Sequence, residues 1–95
     1  MPALWIGHVT VHDEDAYGKY AALAGSAIAK HGGKFIARGG RYVQLEGTDR
    51  PRNVVAKFDS VEAAETCYNS QEYQSALDLA RGAAERELLI VETTE

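Results

Sequence analysis

The chain has 95 residues, of which 45% are hydrophobic, and its ten Lys and Arg against fourteen Asp and Glu give a net charge of −4. This length predicts one small folded domain over residues 1–95, and the composition argues against a disordered chain. The acidic balance argues against a nucleic-acid-binding protein, because binding to phosphates requires a basic face.

The N-terminal residues and the cysteine content indicate where such a protein works. Residues 1–15 hold no basic segment and no long apolar run, so we expect neither a signal peptide nor a membrane anchor. Cys67 is the single cysteine, which excludes an intramolecular disulfide and favours a reducing compartment. Together these features predict a cytoplasmic protein without membrane contact.

The first predicted elements are a strand, a helix and a second strand. Ala3–Val11 is rich in β-forming residues and apolar on both alternating faces, which indicates a strand buried on two sides. Asp13 is the predicted N-cap of a helix with one apolar stripe. Gly32 and Gly33 end that helix, because glycine readily adopts the left-handed conformation found there. Lys34–Arg38 is the predicted second strand.

The second half of the chain continues with strands and then helices. Gly39 and Gly40 predict a tight hairpin turn into a third strand at Arg41–Gly47, because both residues can take positive φ. Thr48–Arg52, which contains Pro51, is predicted to be a loop. The remaining predicted elements are a fourth strand at Asn53–Phe58, a helix capped by Asp59 or Ser60, a short helix capped by Ser70 that ends near Gly82, and a fifth strand at Arg86–Thr93.

This order of elements predicts a ferredoxin-like α+β fold, with a mostly antiparallel sheet and helices on one face. Helices of such a fold cover only one face of the sheet. The first and last predicted strands are nevertheless apolar on both faces. We therefore expect the open face to pack against a second copy of the chain, which makes the protein a homodimer.

The sequence resembles the domain-of-unknown-function family 1330 over essentially its whole length. The most specific matching parts are Gly32-Gly33 with Phe35, Arg38-Gly39-Gly40, Phe58 to Ala64, and the segment YNSQEYQSAL through to Arg81. That family usually has Pro after the Ser of the last segment, where this chain has Gln71. The resemblance implies a dimeric α/β barrel, in a superfamily that includes cofactor-free monooxygenases, lactone isomerases and haem proteins. It implies no settled activity.

The histidine and cysteine residues do not indicate a metal or cofactor site. His8 and His12 lie in and just after a strand, where four residues span roughly 13 Å, so they cannot share a metal ion. Cys67 lies on the inward side of a helix and is expected to pack in the core. The sequence also lacks the nucleophile-elbow, Walker and dinucleotide-binding motifs. We therefore expect no metal and no cofactor.

Arg38 is the leading candidate for ligand binding, because a guanidinium at the end of a strand can hold a carboxylate by two parallel hydrogen bonds. The alternative role is structural, either as an ion pair with Glu46 across the predicted hairpin or as a cap on helix carbonyls. Arg81, at the end of the last helical turn, is a second candidate, with a favourable helix-dipole interaction as the alternative.

Four tyrosines fall on inward helical stripes, where core packing is their first expected role; they are Tyr17, Tyr20, Tyr68 and Tyr73. A buried tyrosine hydroxyl requires a partner, so these residues can also line a pocket with Arg38 for a small organic acid or aromatic molecule. His8 or Tyr20 would then transfer a proton. A non-catalytic dimeric module, in which these same residues are structural, is the competing hypothesis.

Overall fold

The computed structural model describes residues 1–95 as a four-stranded sheet with three helices packed on one face. In chain order the elements are β1 (Ala3–Val11), α1 (Glu14–Lys30), β2 (Lys34–Arg38), β3 (Arg52–Phe58), α2 (Val61–Asn69), α3 (Gln71–Ala80) and β4 (Ala84–Glu92). The strand order is β2-β3-β1-β4, and every neighbouring pair is antiparallel. The ferredoxin-like α+β class is therefore confirmed.

Each helix begins at a side-chain cap that the sequence supplies. The side chains of Asp13, Ser60 and Ser70 accept hydrogen bonds from the backbone amides at the starts of α1, α2 and α3, respectively. Such a bond satisfies one of the free N–H groups of the first turn. Ser70 lies between α2 and α3 and separates them, as predicted. Gly32 follows α1 with φ 84°, which confirms the predicted glycine stop.

The core lies between the helices and the inward face of the sheet, and aromatic residues dominate it. Trp5 of β1 is 2% exposed, stacks on Phe58 of β3 at 5.7 Å between ring centroids, and meets Tyr73 of α3 edge to face at 5.0 Å. Cys67 is fully buried, which confirms its expected place in the core. Burial, with a smaller contribution from Glu72, raises the pKa of its thiol to about 11, so it is neutral at physiological pH.

The predicted hairpin and third strand are wrong. Residues 40–51 form a loop, and β2 pairs directly with β3. Gly39 has φ 70°, but Gly40 does not take positive φ, which a type I′ turn would require. The Gly39 amide instead donates to the carbonyl of Asn53 at 2.9 Å, across the β2–β3 pair. β2 is an edge strand whose one neighbour is β3, and the alternating segment at 41–47 does not pair with its free edge, so Val43 and Leu45 are exposed.

The outward face of the sheet, called here the open face, is uncovered. The half of this face nearest the start of β1 carries Lys57 and five apolar residues: Leu4, Ile6, Val55, Leu89 and Val91. The other half is polar, with His8 paired in register with Asn53 and Glu87. None of the helices is long and apolar enough to cross a membrane.

Candidate functional site

A small cavity lies between α1 and the inward face of the sheet. Its volume is about 30 Å³, which is room for about two water molecules or one carboxylate group. The lining residues are Trp5, Gly7 and Val9 of β1, Tyr17, Tyr20, Ala21, Ala24 and Ile28 of α1, Phe35 and Arg38 of β2, Arg52 and Val54 of β3, and Arg86 of β4. Apolar side chains form most of this wall, and every charged residue in it is an arginine.

Arg38 reaches the cavity because β2 is irregular. Phe35 and Arg38 are three residues apart, so in a regular strand they would point to opposite faces. The register shifts between Phe35 and Ala37, and this bulge turns both side chains towards the helices. The Arg38 guanidinium lies 4.2 Å from the centroid of the Phe35 ring and donates to the carbonyl of Ala21 at 3.2 Å. The proposed ion pair with Glu46 is absent, and the helix-carbonyl contact is the one observed.

Arg52 stands at the start of β3, with its guanidinium carbon 5.5 Å from the centroid of the Tyr17 ring. Gly39 lies beside it, and a Cβ at Gly39 would be 3.5 Å from Arg52 Nη1. None of the three cavity arginines has a carboxylate oxygen within 4.0 Å, although other basic residues of the chain do form ion pairs. The cavity therefore concentrates positive charge in a chain whose net charge is negative.

Arg86, Tyr20 and Tyr73 form a hydrogen-bonded network behind the cavity. The two tyrosine hydroxyls are 2.7 Å apart, and Arg86 Nη2 donates to Tyr20 at 2.7 Å and to Tyr73 at 3.0 Å. The Arg86 guanidinium also lies 4.7 Å from the centroid of the Tyr20 ring. Arg86 Nε is buried and has no hydrogen-bond partner. A charged group is thus held here by neutral phenols alone.

One tyrosine hydroxyl proton of this network has no acceptor within the network. Each hydroxyl has one proton and two lone pairs, and each accepts one bond from Arg86. Only one hydroxyl proton is needed for the bond between the two tyrosines. The other proton is free for a third group, and Tyr20, unlike Tyr73, lines the cavity. Tyr20 can therefore donate to a molecule placed there.

The environment keeps both phenols protonated. Burial is the main reason that the pKa of Tyr20 is raised well above its usual value, and the neighbouring Tyr73 raises it further, against an opposing effect of Arg86. Burial also raises the pKa of Tyr73. For Arg86, burial lowers the pKa, but its contacts with Tyr20 and Tyr73 outweigh this effect and raise it. At neutral pH the network therefore consists of the Arg86 cation and two neutral tyrosine hydroxyls.

The structure brings together some of the residues that the sequence nominated and separates others. Arg38, Tyr17 and Tyr20 line the cavity, and Tyr73 stands one hydrogen bond behind it. Tyr68 packs between Trp5 and Tyr73 and does not line the cavity.

His8 and Arg81 lie apart from the cavity as well. His8 points to the open face, where Nδ1 donates to Asn53 Oδ1 at 2.6 Å, because that oxygen can only accept. Arg81 is exposed and pairs with Asp78 at 3.0 Å. Of the two nominated proton-transfer residues, only Tyr20 lies at the cavity.

Sequence reasoning missed Arg52 and Arg86, although the alternation of side chains along the last strand points to Arg86. Alternation along β4 places Arg86 on the same side as Leu88 and Ile90, which pack against the core. Arg52 shares the inward side of β3 with Ala56 and Phe58, but its position was predicted to lie in the loop before this strand, so alternation did not reveal it. An arginine at an inward-facing strand position is unusual and indicates a function or a buried partner.

Solved structures with the same fold cover almost all of the chain. The RPA0582 protein of unknown function from Rhodopseudomonas palustris is 20% identical, with 99% of this chain and 83% of that chain covered and a TM-score of 0.79. SnoaB, a cofactor-independent oxygenase from Streptomyces nogalater, is 14% identical, with coverages of 99% and 94% and a TM-score of 0.67. A dimeric ferredoxin-like protein of unknown function from Thermobifida fusca is 15% identical, with coverages of 98% and 92% and a TM-score of 0.61.

These likenesses establish the fold, and the sequence establishes the family. No curated protein matches the sequence. The family model described as Domain of unknown function (DUF1330) matches residues 2–94, which is nearly the whole chain. The resemblance seen in the glycine and tyrosine segments is thereby confirmed, and the chain belongs to the DUF1330 family.

Proposed function

We propose that this protein binds a small organic anion, such as a carboxylate or an aromatic acid, with its anionic group in the cavity between α1 and the sheet. The observation that carries the proposal is the convergence of Arg38, Arg52 and Arg86 on one small apolar cavity without any carboxylate partner. A bound anion would neutralise charges that the chain itself leaves unpaired.

The three arginines would contribute differently to binding. Arg86 is the principal anchor, because its Nε–H has no partner and its Nη2 bonds are made to neutral groups. Arg38 already donates from Nη2 to the carbonyl of Ala21, so it supplies positive charge and the N–H groups that this bond leaves free. Tyr20 contributes the unused hydroxyl proton, which would stabilise negative charge on the bound molecule or be transferred to it.

The test is an NMR titration of the protein with sodium acetate, pentanoate and benzoate, followed through backbone amides that line the cavity, such as that of Gly7. We expect saturable shifts at these amides in the parent and their loss in Arg86→Met. Arg81→Met is the matched control, since Arg81 is an exposed arginine away from the cavity. Equal binding by the parent and Arg86→Met would refute the proposed anchor. Failure of all three acids to bind would refute the function.

The proposal includes a homodimer formed through the open face. Its support is the apolar half of that face, where Leu89 is 52% exposed, and the dimeric ferredoxin-like neighbour of the same fold. Leu89→Asp should shift the sedimentation coefficient at micromolar concentration from dimer to monomer. Leu23→Asp is the control, because Leu23 is equally exposed, at 50%, on the outer surface of α1. A parent protein that sediments as a folded monomer would refute the dimer.

A non-catalytic dimeric module is the second candidate function. The observation in its favour is Arg38, whose contacts with Phe35 and Ala21 are structural in kind. SnoaB, a cofactor-independent oxygenase of the same fold, supports small-molecule chemistry instead. The buried single cysteine supports a cytoplasmic location under either candidate. The acid titration separates the two, because the structural module requires no ligand.

A further inference from the structure

A second space adjoins the cavity on its outer side. This outer groove is lined by Val9, Val11, Glu14, Gly39, Pro51 and Arg52, and its volume is about 230 Å³. Val9 and Arg52 line both the groove and the cavity, so the two spaces meet at these side chains. The groove is therefore the adjoining space, on the Arg52 side, for the rest of a molecule whose anionic head occupies the cavity.

The outer groove contains one charge of each sign. Arg52 stands at its inner end, where it also faces the cavity, and Glu14 is the other charged residue of its wall. Neither side chain forms an ion pair, because no oppositely charged group lies within 4.0 Å of either one. Glu14 is the first residue of α1, but the cap of that helix is Asp13, so the Glu14 carboxylate is not used for capping.

We propose that the outer groove receives the tail of the bound anion, and that Glu14 makes the protein select a tail that is uncharged or positively charged. The inference rests on the proposed function. Arg52 lines both spaces and we assign it to the head of the ligand, whereas Glu14 lines the groove alone and we assign it to the tail. The ligand class is therefore a monocarboxylate with a neutral tail or, better, an amino acid whose ammonium group lies at the far end, and dicarboxylates are disfavoured.

The walls of the groove agree with a tail of this kind. Apart from the two charged residues they are apolar or lack a side chain, so a short aliphatic segment can pack against Val9, Val11 and Pro51. At a separation of about 4 Å, two unit charges change binding about fivefold even with the screening of bulk water. We therefore expect about fivefold discrimination for each change of tail charge, lower at high salt.

The experiment compares three acids that share a five-carbon chain and differ only at the far end: pentanoate, 5-aminopentanoate and glutarate. Dissociation constants are measured by NMR titration at pH 7 with parent, Glu14→Gln and Asp15→Asn. Asp15 is the matched control, since it is an exposed acidic residue in the same helical turn that does not line the groove. The expected order for the parent is tightest for 5-aminopentanoate and weakest for glutarate.

In Glu14→Gln the three dissociation constants should come within about twofold of one another, whereas Asp15→Asn should retain the parental order. The inference is overturned if glutarate binds the parent as tightly as pentanoate, which would place its second carboxylate on Arg52. It is also overturned if Glu14→Gln leaves the order unchanged. Absence of binding by all three acids refutes the proposed function and the inference together, so the two failures are distinguishable.

Discussion

The replacement Arg86→Met should abolish anion binding and yet leave the protein about as stable as the parent. The two bonds that Arg86 donates to Tyr20 and Tyr73 are charge-assisted, and bonds of this kind contribute about 1.5–3 kcal/mol each. The contact with the Tyr20 ring adds about 0.5–1 kcal/mol. The substitution removes these interactions, which together amount to roughly 3.5–7 kcal/mol.

The same substitution removes two unfavourable terms. A guanidinium taken out of water costs several kcal/mol, and a buried unpaired donor such as Arg86 Nε costs about 1–3 kcal/mol. Methionine fills a similar volume without charge, and the two phenols remain bonded to each other. Because the two sets of terms oppose each other, the free energy of unfolding should change by much less than the roughly 3.5–7 kcal/mol of the interactions removed. If Arg86 were retained only for structure, the loss would approach the roughly 3.5–7 kcal/mol of the interactions removed.

The measurement is urea unfolding at pH 7 and constant protein concentration, followed by the fluorescence of Trp5, the single tryptophan, which is buried against Tyr73. The control Arg81→Met removes an exposed pair and should change stability by less than about 0.5 kcal/mol. A loss of 3 kcal/mol or more in Arg86→Met would show that the arginine is structural. That result would refute the reasoning that an anion is its natural partner.

Three further predictions concern backbone space, backbone conformation and charge. Gly33→Ala should lower stability by about 1–3 kcal/mol in thermal unfolding, because the new Cβ would lie 2.6 Å from side-chain atoms of the core; unchanged melting would contradict this. Gly39→Ala should cost about 1 kcal/mol and Gly40→Ala nearly nothing, since only Gly39 has positive φ, and equal melting of the two would refute it. The hydrogen bond from Lys30 lowers the pKa of Glu72, so this carboxylate adds stability at neutral pH that is lost as pH falls through the lowered pKa. An NMR titration of Lys30→Met should therefore show a higher pKa for Glu72. An unchanged pKa would exclude the contact.

The parts of the fold that the sequence predicted correctly are those that depend on local signals. The cap at Asp13 and the glycine stop at Gly32 act within a few residues, and α1 lies between them as expected. Alternation along β1 and β4 also placed apolar residues on both faces of the sheet, as the register shows, whereas the burial of the outward face in a dimer stays a prediction.

The failures share a different cause, since they depend on pairing between distant segments. The alternation in 41–47 is typical of a strand, but a strand requires a partner, and β2 pairs instead with β3 from further along the chain. The bulge after Phe35 is set by pairing as well, and it alone brings Arg38 to the helical side. Sequence reasoning nominated Arg38 from its type and position, without access to the irregularity that directs it into the cavity.

The arginine cavity joins the stability of this chain to its proposed function. Apolar packing against Trp5 and Tyr73 holds α1 and α3 on the sheet, and this packing also fixes the two phenols that orient Arg86. A cation so placed is costly in the absence of an anion, because no carboxylate of the chain reaches it. The tertiary contacts of the core therefore keep the guanidinium in a position whose energy a bound anion would lower. Binding and folding are linked on this account, since a ligand that binds only the folded chain stabilises it in proportion to the logarithm of its concentration.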